Sequence, residues 1–102
     1  MKKVGVAILG LGVVGGGTYQ ILVQNKENFK KVHGLDVTVE SVLEKNPDRA
    51  VSLGIDKSIV ASSIEEVVSN PNVDIVVEVI GGVEPAKTFV LKALKSGKTV
   101  VT

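Results

Sequence analysis

"ILGLGVVGGG", Ile8 to Gly17, decides the fold. It crowds Gly10, Gly12, Gly15, Gly16 and Gly17 into the point where an apolar run should hand over to a helix. Each glycine inside a helix costs about 1 kcal/mol relative to alanine, so the cluster is locally unfavourable and something must need the missing side chains. Upstream, "KVGVAIL" (Lys3 to Leu9) is almost continuously apolar and rich in β-branched residues, the signature of a strand buried on both faces. Downstream, Val14, Thr18, Ile21, Leu22 and Phe29 fall on one helical stripe, with Lys30 and Lys31 near its end and Gly34 as its stop.

The same alternation continues to the last residue. "LDVTVESVLE" (Leu35 to Glu44) reads as a second strand, and Pro47 opens a short helix that Gly54 terminates. "SIVAS" (Ser58 to Ser62) reads as a brief third strand. Ser63 with Glu66 three residues on is a capping box for a helix over 64–70, halted at Pro71. "VDIVVEVI" (Val73 to Ile80) is the strongest strand, and Pro85 starts a helix over 86–96 that Gly97 closes. "KTVVT" (Lys98 to Thr102) is a fifth strand. Strands separated by helices demand a parallel sheet with right-handed crossovers, so the fold class is α/β, a doubly wound Rossmann-like sheet of strand order 3-2-1-4-5.

Gly10-Leu11-Gly12-Val13-Val14-Gly15 is then a GxGxxG turn placed between a buried strand and a helix, the context that gives this pattern its meaning. Gly10 permits the tight turn, Gly12 lets backbone approach a pyrophosphate, and Gly15 lets the helix lie close to the sheet. The amides of Val13 and Val14 face phosphate oxygens with the positive end of the helix behind them. Gly16 and Gly17 exceed the motif and read as close helix packing. At the end of the second strand stand Glu44 and Lys45. A carboxylate there accepts from both adenosine ribose hydroxyls and repels a 2′-phosphate, whereas a lysine attracts that phosphate, so the cofactor is NAD or NADP.

Other features bound the function. The 102 residues form one small domain, 1–102, with 12 basic and 11 acidic side chains in no long block, so charge points to neither nucleic acid nor membrane. There is no cysteine and a single histidine, which leaves no metal site and fits a cytoplasmic protein. The basic start, apolar run and small residues at 1–17 imitate a secretory signal, but the ordered glycines and the loss of a strand on cleavage argue against that. Glu78, inside "IVVEVI", must be paired or hydrogen-bonded, and backbone amides near the Gly81-Gly82 turn are the expected partners. His33 reads as a surface residue, and Tyr19 and Phe29 as packing.

"ILGLGVVGGG", "NPNVDIVVEVIGGVEPA" and "LKSGKTVVT" together resemble homoserine dehydrogenase over essentially the whole chain, with "DIVVEVIGGVEPA" the most specific part. The resemblance implies an NAD(P)-dependent dehydrogenase that interconverts L-homoserine and L-aspartate 4-semialdehyde, on the branch to threonine and methionine. It implies that Gly12, Val13 and Val14 meet the pyrophosphate, that Gly81 and Gly82 face the nicotinamide ribose, and that Thr102 lies near the carboxamide. Lys45 matches a position where the family often carries a base for the 2′-phosphate. Glu44 departs from the apolar residue often found before it. The family's catalytic lysine and carboxylate belong to a following substrate domain, so this chain is expected to be the cofactor half of a larger, oligomeric enzyme, with no catalytic residue of its own and no turnover of the small-molecule substrate. A free-standing dinucleotide sensor and the cofactor domain of a sugar or inositol dehydrogenase are the alternatives, the latter disfavoured by "EVIGGVEPA".

Overall fold

The computed structural model describes residues 1–82 and 84–102. Strand β1 (Lys2–Leu9) leads into helix α1 (Val13–Gln24), followed by the single turn α2 (Lys26–Asn28), a π-helical turn (Phe29–His33) and β2 (Leu35–Leu43). Helix α3 (Pro47–Ser52), a 3-10 turn (Lys57–Ile59) and α4 (Ile64–Ser69) precede β3 (Ile75–Glu78), α5 (Ala86–Lys95) and β4 (Thr99–Val101). All pairings are parallel, in the order β2-β1-β3-β4. Among the described residues, no helix is long and apolar enough to cross a membrane.

This is the expected doubly wound sheet with one correction. The order 3-2-1-4-5 loses its outermost member, because Ser58–Ser62 supplies only a single bridge, Val42 to Val60, in place of a strand. The cause is local competition. The Asp56 carboxylate accepts the Ser58 amide at 2.8 Å and winds Lys57–Ile59 into a 3-10 turn, consuming the residues that would have paired.

β1 alternates between two cores, as a strand covered on both faces must. Ala7 and Leu9 pack with Ile64, Val67, Val76 and Ala93 on the α4–α5 side. Val6 and Ile8 pack with Val37, Val42 and Ala50 on the other side, where Tyr19, Leu22 and Phe29 join them. A register shift opposite Val6/Ala7 leaves Glu40 as an extra residue in β2. That bulge explains why apolar residues switch from odd positions (Val37, Val39) to an even one (Val42) and still share one core.

Helix α1 also corrects the expected stripe. Its buried positions are Gly15 and Gly16, while Val14 and Ile21 are 64% and 59% exposed. Gly15 and Gly16 occupy the face against the sheet together with half-buried Tyr19 and Leu22, so Val14 and Ile21 fall on the outer one. Gly16 does lie against Leu53, at 3.5 Å from a built Cβ, but among the described residues one at Gly17 would meet nothing within 4 Å outside its own helix backbone, so close packing does not account for Gly17. The helix also ends earlier than expected, at Asn25, and the chain reaches the stop at Gly34 (φ 66°) through the α2 and π-helical turns.

Caps follow the sequence closely. The Asn46 side chain accepts the Asp48 amide with Pro47 at the first helical position, and Ser63 Oγ accepts the Glu66 amide. Glu66 reaches back one residue farther than a capping box requires, taking the Ser62 amide at 3.0 Å and the Ser62 hydroxyl at 2.6 Å.

Candidate dinucleotide site

Parallel α/β sheets present ligands with the carboxyl ends of their strands, where each chain reversal leaves a crevice. Here that edge carries the β1–α1 turn, the end of β2 and the Gly81-Gly82 segment after β3. Gly10 adopts φ +97°, a left-handed conformation that side chains rarely take, and its amide donates to Leu43 O at 2.8 Å, tying the turn to β2. A Cβ on Gly15 would stand 1.8 Å from Gly10 O, so α1 can start this close to the turn only with glycine there. Gly12 is the residue before α1 and has extended backbone.

From Gly12 the chain opens outward. Val13 is 96% exposed and Val14 exposed too, and as first-turn residues their amides have no acceptor within the helix. A cleft of about 580 Å³ lies beside them, lined by Gly10, Gly12, Glu44, Lys45 and Arg49 on one side and by Ser62, Ser63 and Phe89 on the other. That volume suits a small-molecule site. A second recess, of about 220 Å³ and lined by Gly5, Asp36 and Asp74, lies at the amino ends of the strands, the wrong edge for a doubly wound site.

Of the residues singled out in the sequence, Gly10, Gly12, Glu44 and Lys45 line one cleft. Gly15 does not line it, and lies instead against Gly10 O and Val79. Gly81 (φ 84°) and Gly82 (φ 75°) are exposed at the same sheet edge, where among the described residues a Cβ would meet nothing within 4 Å beyond its chain neighbours, and their positive φ is the conformational requirement. Thr102 is exposed just beyond β4. Gly10, Gly12, Gly15 and the first turn of α1 therefore fit a diphosphate: bare backbone, amides without helical partners and a positive helix end coincide. Among the described residues, no group of three or more His, Cys, Asp or Glu side chains is placed to hold a metal ion.

The electrostatics of the rim differ from the sequence picture. Glu44 accepts the Leu11 amide at 2.7 Å and the Asn46 amide at 2.9 Å, and its Oε1 lies 3.4 Å from Arg49 Nη1. Burial pushes its carboxyl up, but those two amides and the guanidinium outweigh burial and hold it below the usual carboxylate value. Lys45 is exposed at the same rim. Arg49, which nothing in the local pattern distinguishes from a surface helix residue, belongs to the cleft and was not among the sequence candidates. Glu78 is half-buried and accepts the Ile80 amide at 2.7 Å, a backbone partner just ahead of the Gly81-Gly82 turn. His33 is exposed, with its ring 6.5 Å from that of Phe29.

Comparison with known proteins places these observations. The family described as "Homoserine dehydrogenase, NAD binding domain" matches residues 10–102. The homoserine dehydrogenase of Methylobacillus glycogenes is 41% identical over 102 residues, covering 100% of this chain and 25% of the relative. The crystal structure of S. aureus homoserine dehydrogenase at pH 6.5 superposes with a TM-score of 0.87 at 32% identity, over 98% of this chain and 25% of that one. The homoserine dehydrogenase of Thiobacillus denitrificans superposes with a TM-score of 0.86 at 42% identity, over 100% of this chain and 23% of that one. The chain thus spans about a quarter of the length of the relatives it matches.

Proposed function

The chain belongs to the family of homoserine dehydrogenase NAD-binding domains, and from that premise we propose that residues 1–102 bind a nicotinamide dinucleotide for an enzyme interconverting L-homoserine and L-aspartate 4-semialdehyde. The observation that carries the reading is the β1–α1 turn. Gly10 at positive φ and Gly15 packed under Gly10 O bring the start of α1 against the sheet, so that Gly12, Val13 and Val14 offer backbone to a diphosphate.

The dinucleotide, when bound, supplies the hydride donor or acceptor. This chain's residues bind and orient it. Gly12, Val13 and Val14 hold the pyrophosphate, the rim at Glu44 and Lys45 borders the adenosine ribose, and Gly81, Gly82 and Thr102 line the nicotinamide end. None of these is a proton carrier. Substrate recognition and proton transfer fall to a portion of the enzyme that this chain does not span, and the same reading gives the whole enzyme a role in amino-acid biosynthesis, a cytoplasmic location and a homo-oligomeric state.

A fluorescence titration of the chain with NADH and NADPH tests it. Saturable binding that Gly12→Val abolishes is the expected result, since a branched side chain there stands where the diphosphate must approach. Absence of saturable binding by a folded sample refutes it.

A further inference from the structure

Arg49 reaches from α3 to the glycine turn. Its Nη1 lies 3.6 Å from where a Gly12 Cβ would stand, and among the described residues no other heavy atom beyond the chain neighbours comes within 4 Å of that position. The second glycine of such a turn is the one whose missing side chain lets backbone approach a pyrophosphate, so the guanidinium hangs over the space the diphosphate enters. Gly12 immediately precedes α1, whose Val13 and Val14 amides have no acceptor within the helix. Guanidinium and amides therefore border one opening from two separate elements.

Arg49 is not used up by its neighbour. Among the described residues its one hydrogen bond is from Nη1 to Glu44 Oε1, at a long 3.4 Å, and its side chain is 51% exposed, which leaves most of its N–H donors without a protein acceptor. Glu44, only 5% exposed, does not depend on the arginine either, since Oε1 accepts the Leu11 amide and Oε2 the Asn46 amide. Those amides and the guanidinium keep the carboxylate ionised beside the turn that admits the diphosphate, and a cation at Gly12 offsets that like charge. The adenosine ribose of a bound dinucleotide lies instead at the end of the second strand, away from the second glycine.

We propose that Arg49 is a diphosphate ligand, its guanidinium closing over Gly12 from the α3 side and supplying the positive charge that the backbone turn, loaded with the Glu44 carboxylate, lacks. The proposal rests on the dinucleotide reading above and adds to it a side chain from outside the glycine motif. It makes Arg49 indifferent to whether the dinucleotide carries a 2′-phosphate.

The test is a titration of the chain and its Arg49→Ala and Arg49→Lys variants with NADH, NADPH and adenosine 5′-diphosphate, each variant first shown to be folded by circular dichroism. Arg49→Ala weakens all three ligands about tenfold or more, and by the same factor to within about threefold, because the contact they share is the diphosphate. Arg49→Lys keeps the charge without the planar fork and recovers part of the loss. In phosphorus NMR spectra of bound NADPH, the pyrophosphate resonances move between parent and Arg49→Ala while the 2′-phosphate resonance stays, a signature that general destabilisation does not leave. Unchanged affinities in Arg49→Ala mark a surface side chain and overturn the proposal. A loss confined to NADPH, with the 2′-phosphate resonance the one that moves, overturns it too. If the parent chain binds none of the three ligands, the dinucleotide reading itself fails and takes the proposal with it.

Discussion

Replacing Gly15 by alanine isolates the physical reason for the glycine turn. The added methyl would stand 1.8 Å from Gly10 O, and clearing the 3.0 Å below which such contacts do not occur takes a shift of about 1.2 Å. Neither partner can give easily. Gly10 is held by its amide on Leu43 O and at φ +97°, with the backbone of Ile80 only 3.1 Å from its own built Cβ position, while α1 is pressed on the sheet through Gly15 and Gly16. Overpacking of this kind costs roughly 2–4 kcal/mol, against which the better helix propensity of alanine returns about 1 kcal/mol. A net loss of about 2 kcal/mol lowers the melting temperature of a domain this size by roughly 8–16 °C. Thermal and urea denaturation followed by circular dichroism measure it, and dinucleotide affinity should fall with it because the first turn of α1 is displaced. Gly17→Ala is the matched control: among the described residues nothing outside its own helix backbone lies within 4 Å of the added methyl, so propensity alone should stabilise the chain by about 0.5–1 kcal/mol. If Gly15→Ala proves as stable as the parent to within about 0.5 kcal/mol, or Gly17→Ala is the more damaging of the two, the steric account of the turn is refuted.

Ser63→Ala removes the side-chain acceptor for the Glu66 amide at the start of α4 and should cost about 1 kcal/mol in a urea titration. The Glu44 carboxyl is lowered by its donors from an ordinary 4.5, so its contribution is fully present above that value and is lost as the pH falls through the lowered one. The urea midpoint should therefore drop on acidification below about 4.5, and Glu44→Gln should flatten part of that slope, with Glu66, Asp36 and Asp56, lowered likewise, supplying the remainder. Glu78→Ala takes away the acceptor of the Ile80 amide and should cost about 1–2 kcal/mol of stability while changing NADH affinity less than about threefold; the opposite ranking would make Glu78 a ligand contact.

Much of the architecture is legible because its causes are local. The buried run before Gly10, Pro47 at the head of α3, Ser63 ahead of an apolar stripe and Gly97 after α5 each state a strand, a helix start, a cap or a stop within a few residues, and each appears where expected. Failures occur where two local signals compete. Ser58–Ser62 has the composition of a strand, yet Asp56 bonds Ser58 and turns it; the stripe through Val14 and Ile21 has helical period, yet glycines take the buried face of α1. In β2 the change of apolar phase records the bulge at Glu40, but only pairing with β1 shows that Val37 and Val42 end on one side.

The candidate site divides the same way. The amino-acid sequence alone determined a glycine turn between a buried strand and a helix, and with it an opening for a diphosphate, because steric exclusion at Gly10 and Gly15 follows from residue type and spacing. Only the tertiary structure decided which way Glu44 faces and that Arg49 hangs over Gly12. Those outcomes depend on a backbone amide 33 residues away and on how α3 leans against the turn, and a side chain's choice among distant donors leaves no trace in the order of its neighbours.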